Sequence, residues 1–174
     1  MKILLHVCCA PCAIHPFREL IKNSANEVTG FFYNPNIHPA EEEKRRRQAL
    51  TEYAKKDNFG VIFGEYNAEE FFRKVGDKQE SPLRCGICWR LRLEKTAETA
   101  KSAKFDAFTT TLLVSPYQNQ DMIKEIGADC GRKFGVQFIA VDFRGGFRDA
   151  QAEARNSGIY RQKYCGCVYS QKER

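Results

Sequence analysis

Seven of the eight cysteines fall in three short clusters: Cys8, Cys9 and Cys12; Cys85 and Cys88; and Cys165 and Cys167. Thiolates repel one another and resist leaving water. Gathering several of them in one place therefore calls for a cation or for oxidation to a disulfide. An adjacent Cys8-Cys9 pair suits a simple zinc site poorly, because neighbouring residues in a strand point to opposite faces. A [4Fe–4S] cluster needs four cysteines from a concave site. Cys8 and Cys9, with Cys85 and Cys88 at a helix start, supply four, and a helix N-terminus favours bound thiolate. The remaining three have two readings. Cys165 and Cys167 could form a small, easily reduced disulfide that relays two electrons, or they could join Cys12 around a second metal ion. Spacing leaves both open. Cys130 stands alone on a helix and reads as a small buried apolar residue.

Among the histidines, His6 lies inside an apolar strand and reads as core. His15 follows Cys12 by about one helical turn, and His38 stands at a strand's carboxyl end, where a ligand could be met.

The elements that must position these groups alternate. Short apolar runs at 2–8, 27–33, 60–66, 106–114 and 137–143 read as strands. Between and after them, 13–23, 39–57, 69–74, 85–103, 119–134 and 147–157 read as helices. Five alternations imply one α/β domain over 1–174, a doubly wound and mostly parallel five-stranded sheet with helices on both faces. Ligands of such sheets bind beyond the carboxyl ends of the strands. The segments leaving those ends are CCAPC, NPNIHP, SPYQNQ and DFRGGF, and the tail 158–174 is expected to fold back over them.

A chain of 174 residues is long enough for one sizeable core, and 43% hydrophobic with 29% charged residues excludes a disordered chain. The N-terminal segment lacks a signal-peptide pattern, and no run approaches about 18 apolar residues, so no membrane partner is expected. The cytoplasm is the expected compartment. Thiols stay reduced there, which favours metal or redox chemistry over a disulfide framework.

HVCCAPC (6–12), FFYNPNIHP (31–39), RCGICWRLRLEKTA (84–97), TTTLLVSPYQNQ (109–120), DFRGGF (142–147) and YRQKYCGCVYS (160–170) together resemble the QueH family of epoxyqueuosine reductases. The resemblance implies removal of the epoxide oxygen from epoxyqueuosine at the anticodon wobble position of tRNA, giving queuosine in the last step of its biosynthesis. It implies a [4Fe–4S] cluster on Cys8, Cys9, Cys85 and Cys88, a redox-active pair at Cys165 and Cys167, and a further metal centre, read as a mononuclear iron with Cys12 among its ligands. It implies an adenine-nucleotide alpha-hydrolase (PP-loop/HUP) type of fold, yet HVCCAPC stands where that group has its phosphate loop, which argues against ATP cleavage.

Epoxide reduction needs electrons from an external donor, which the sequence does not name, and a proton source. Candidates are Tyr33, His38, Tyr117 and Asp142, with Asp142 favoured; its plainer role is to cap its turn or pair with Arg144. For RNA contact the sequence offers Arg46 within the basic run 44–47, then Arg84, Arg90, Arg92, Arg144, Arg148, Arg161 and Lys163, with Trp89 and nearby tyrosines to stack on unpaired bases. The net charge of +6 is compatible with this. Two other classes remain: a zinc-stapled RNA-binding module without catalysis, and a metal-free thiol–disulfide oxidoreductase.

Overall fold

In the computed structural model, which describes residues 1–173, five parallel strands form one sheet in the order β3-β2-β1-β4-β5. They are β1 (Lys2–His6), β2 (Glu27–Phe32), β3 (Val61–Phe63), β4 (Ala107–Thr110) and β5 (Gln137–Phe138). The helices are α1 (Ala10–Ile21), α2 (Ala40–Lys56), α3 (Ala68–Val75), α4 (Leu83–Ser102), α5 (Gln120–Phe134), α6 (Phe147–Asn156) and α7 (Val168–Lys172). β1 pairs with β2 on one side and β4 on the other, so the strand order reverses beside it. The carboxyl end of β1 therefore opens at the switch point, where such sheets hold their ligands.

β1 carries Ile3, Leu4 and Leu5 with essentially no exposure, as a central parallel strand covered on both faces requires. Helix α1 packs with α2 and α6, and α4 packs with α5 and α3. A smaller cluster under α3 and α4 contains Phe71, Val75, Leu91, Cys88 and Cys167, so two of the chemically interesting thiols are built into a hydrophobic contact.

β3 covers only Val61–Phe63 of the run expected over 60–66, and three further elements differ from the sequence expectation. β4 stops at Thr110 because that hydroxyl accepts the Leu112 N–H at 3.1 Å, and Thr111–Val114 then turn as a 3-10 segment. The apolar run TTTLLV does not reveal this, since threonine side chains compete for backbone donors. β5 pairs over only two residues, after which Thr109 Oγ1 donates to Ile139 O at 2.7 Å and the chain turns away. Helix α1 begins at Ala10 rather than residue 13, which puts Cys9 at its N-cap and Cys12 in its first turn.

Gly127 allows α5 to lie against β5: a Cβ there would meet the Phe138 ring at 2.4 Å. Gly127→Val is expected to lower unfolding stability by about 1–3 kcal/mol through overpacking, read as a reduced urea midpoint with an unchanged slope.

Candidate functional site

At the end of β1 the buried His6 is 2.9 Å from Thr110 Oγ1 through Nδ1 and 3.3 Å from Tyr33 O through Nε2. Burial, reinforced by the charge of Arg92, lowers its pKa to about 4, so it stands as a neutral core residue. Beyond it, Thr111 Oγ1 accepts the Cys8 N–H at 3.1 Å and donates to Cys8 Sγ at 3.3 Å. The sulfurs of Cys8, Cys9 and Cys12 all lie within 4.8 Å of one another, with Cys8 and Cys9 at 3.8 Å. Two thiolates on one tetrahedral ion, each about 2.3 Å from it, would stand about 3.8 Å apart. Hydrogen bonds from Cys12, Cys9 and Thr111 pull the Cys8 thiol well below its ordinary range against the effect of burial. Cys12 is pushed up by the same pairing with Cys8 and Cys9, and Cys9 chiefly by burial. One thiolate is thus stabilised among two protonated neighbours, the arrangement a cation would complete by displacing their protons.

Two cavities adjoin at this end of the sheet. The first, about 340 Å³, is lined by Cys8, Cys12, Thr111, Gln162 and Lys163 among others. The second, about 290 Å³, is lined by Cys85, Cys88, Trp89 and Cys167 among others. Arg92, Tyr117, Gln118, Cys165 and Ser170 line both. Tyr117 is 84% exposed at this shared mouth. Burial pushes the Cys88 thiol up to about 12. Ser81 Oγ is 3.6 Å from Cys85 Sγ, and the Ser170 N–H donates to Cys167 Sγ at 3.4 Å. All eight cysteines are free thiols.

The tail reaches the cavities because α2 grips it. Arg46, 2% exposed, donates to the carbonyls of Cys165 and Tyr164, each at 3.0 Å, while Glu42 accepts its Nε at 2.8 Å. Glu42 also accepts from Tyr160 Oη at 2.6 Å, and the His38 N–H donates to Gly166 O at 2.8 Å. Gly166 sits at φ +140°, and a Cβ there would lie 3.1 Å from Asn36 Nδ2 and Ile37, so the residue between the two tail cysteines needs to be glycine.

The family model describing the epoxyqueuosine reductase QueH matches residues 3–173. The chain belongs to the QueH family. A QueH epoxyqueuosine reductase of Thermotoga maritima is 38% identical over 180 residues, covering 99% of this chain and 91% of that protein. One from Streptococcus pyogenes is 36% identical, covering 98% of this chain and 71% of that protein. Among solved structures, the U34-tRNA thiolase NcsA of Methanococcus maripaludis with its [4Fe-4S] cluster shares the fold at a TM-score of 0.60 and 14% identity. That likeness covers 98% of this chain and 61% of the thiolase.

Against this QueH-family identity, several expected site residues take other positions. Asp142 lines neither cavity: its carboxylate accepts Arg144 Nε at 2.8 Å and Nη2 at 2.6 Å, and also the Arg144 N–H at 3.0 Å. Arg144 holds the Asp142 carboxyl well below the usual range, so it is an ionised turn cap rather than a proton donor. Arg46 and Arg84, expected on an RNA surface, are buried clamps. Arg84 donates to Gln79 O at 2.6 Å, pairs with Glu173 and lies over the Tyr169 ring. Trp89 is 5% exposed; its indole donates to Gln118 Oε1 at 3.1 Å, so its ring packs in the core rather than offering a stacking surface. The basic run splits: Arg46 and Arg47 turn inward to Glu42 and Glu43, and Lys44 and Arg45 face outward. Arg144 and Arg161 are exposed, and Arg161 Nε bonds Gln151 at 3.3 Å. His15 packs against Phe143 and Gly146, and His38 against Phe71 and Phe72, so neither lines a cavity. Tyr33 is spent on Glu70 at 2.5 Å. Cys130 is buried on α5, away from both cavities.

Sequence reasoning assigned no role to Thr111 and Gln162, although both lie in the matched stretches 109–120 and 160–170, and read Arg92 only as a phosphate contact. Its signal was the spacing Cys85, Cys88, Arg92, which places all three on one face of α4.

Removing the Arg46 charge should free the tail. Arg46→Met is expected to cost about 3–5 kcal/mol by leaving Glu42 buried without its partner. The checks are urea denaturation and faster proteolysis within 158–170.

Proposed function

We propose that this QueH-family chain reduces the epoxide of epoxyqueuosine in tRNA to the alkene of queuosine, at a [4Fe–4S] centre held by Cys8, Cys9, Cys85 and Cys88. The observation that carries the reading is the convergence of three distant cysteine clusters on two adjoining cavities at the switch point of the sheet. The residues fit an anionic thiolate–metal group on two counts. The Cys8 thiol is held well below its ordinary range by hydrogen bonds from Cys12, Cys9 and Thr111, and the buried Arg92 has an Nη2 with no partner among the described residues. The chain works as one metal-binding domain, with its tail closing the site. No described helix is long and apolar enough to cross a membrane, and metal-bound cysteines would suit the reducing cytoplasm.

The reaction consumes two electrons and two protons and releases the oxygen as water. When bound, the cluster supplies electrons singly from an external donor. Cys165 and Cys167 can supply both electrons and both protons together: the dithiol becomes a disulfide as the epoxide becomes alkene and water, and the donor then restores the dithiol. The two residues are separated by the one glycine that the packing demands, and both line the second cavity. Tyr117 lines both cavities, so we assign its hydroxyl to relaying one of those protons to the departing oxygen. Lys163 at the first cavity, with exposed Arg161 and Arg144, would meet tRNA phosphates.

The 3.8 Å spacing of Cys8 and Cys9 favours a second arrangement, in which Cys8, Cys9 and Cys12 hold one mononuclear iron. The cluster then falls to Cys85, Cys88, Cys165 and Cys167, which all line the second cavity.

Anaerobic assay of iron and acid-labile sulfide separates these readings. Cys85→Ala should lose the cluster and turnover in either case. A Cys165→Ser, Cys167→Ser double variant should keep its iron and sulfide but slow single-turnover reduction at least tenfold if the pair is a relay, and should lose sulfide if the pair ligates the cluster. A colourless wild-type protein holding zinc and no sulfide would refute both. Binding of the modified tRNA should weaken steeply with salt, by about tenfold or more between 50 and 200 mM if several phosphates are contacted; a flat response in a filter-binding titration would remove the proposed surface.

A further inference from the structure

Three arginines are almost fully buried near the thiols: Arg46 and Arg92 at 2% exposure and Arg84 at 3%. Arg46 has Glu42 and Arg84 has Glu173. Arg92 has no carboxylate partner among the described residues. Its Nε donates to Cys88 O, one turn back on α4, at 3.2 Å, and its Nη2 meets no acceptor. A guanidinium taken out of water without an anion costs several kcal/mol, so a buried arginine in this state calls for a negative group beside it.

Among the described residues, the groups that chiefly support its charge are thiols. Arg92 lines both cavities, at the seam between the thiols of β1 and those of α4 and the tail. Burial works against its charge, and the thiols of Cys88, Cys165 and Cys8 act to retain it. The same three elements that converge on the metal site therefore converge on this one cation.

We propose that Arg92 is a positioning residue, the internal counter-cation of the thiolate–metal centre, and that its fixed charge sets how readily the centre accepts an electron. This rests on the presence of that centre. Each electron taken up adds one negative charge to the thiolate–metal group. A fixed positive charge in a low-dielectric seam stabilises the reduced form more than the oxidised one. Removing the charge should make the centre harder to reduce without changing its ligands.

The test uses full-length wild type, Arg92→Met and Arg92→Lys, loaded anaerobically with iron and sulfide. Metal content is measured first, and the loaded centres are then titrated potentiometrically by electron paramagnetic resonance. With wild-type metal content, Arg92→Met should show a ratio of reduced to oxidised centre at least tenfold lower at a fixed ambient potential. Arg92→Lys, which keeps the charge, should restore the ratio to within about threefold of wild type. The metal-free Arg92→Met protein should melt at or above the metal-free wild type, because it no longer buries an unpaired charge. Arg92→Met with full metal and the wild-type ratio overturns the proposal. If its KM for tRNA rises at the same time, Arg92 is a phosphate contact instead. Should Arg92→Met fold but take up no metal, the proposal stands only if Arg92→Lys loads and recovers the ratio. A wild-type protein that takes up no iron refutes the metal reading itself, a failure distinct from an unchanged potential.

Discussion

Sulfur packed against sulfur in a water-poor crevice is unfavourable in every protonation state. Charged thiolates repel, and neutral thiols forgo solvent without gaining strong hydrogen bonds. The protein nonetheless brings Cys8, Cys9 and Cys12 within 4.8 Å of one another and sets four more cysteines around the adjoining cavity. The rest of the architecture follows from holding that concentration in place. β1 is buried on both sides, Thr111 secures the first thiol by two hydrogen bonds, and the buried Arg92 lines both cavities.

The fixed backbone contributes as much as the ligands. In nucleotide-binding relatives of this architecture, a phosphate sits where β1 hands over to α1, on unpaired N–H groups. Here a cysteine occupies the N-cap of α1 and another its first turn, so the same helix end carries sulfur instead. The likeness to the tRNA thiolase concerns the fold.

The second structural decision is the tail. Cys165 and Cys167 lie more than sixty residues beyond α4 in sequence, and nothing local orders a Cys-Gly-Cys turn against it. Arg46 does so from α2, through two backbone carbonyls, with Glu42 compensating its charge and Tyr160 tying the same carboxylate. Of the basic run on α2, Arg46 closes the site and Arg47 pairs with Glu43. The outward pair Lys44 and Arg45 is what remains for solvent or nucleic acid.

The alternation of short apolar runs with helical segments determined the parallel α/β sheet, because strands buried on both faces leave no other reading for runs such as KILLH and AFTT. Three cysteine clusters at element ends pointed to a metal or redox site at the carboxyl edge, and the motif set pointed to the QueH family. Individual roles were less legible. An arginine looks the same in sequence whether it faces phosphate or clamps a carbonyl, and only packing showed that Arg46 and Arg84 are buried. Asp142 and Arg144 stand two residues apart, and only the turn geometry showed that they bind each other. The lack of a partner at Arg92 is a property of everything around it. Periodicity is local and so is written in the chain. Which charges meet, and which are left without a counter-charge, depends on elements more than a hundred residues apart, and the tertiary structure alone decides it.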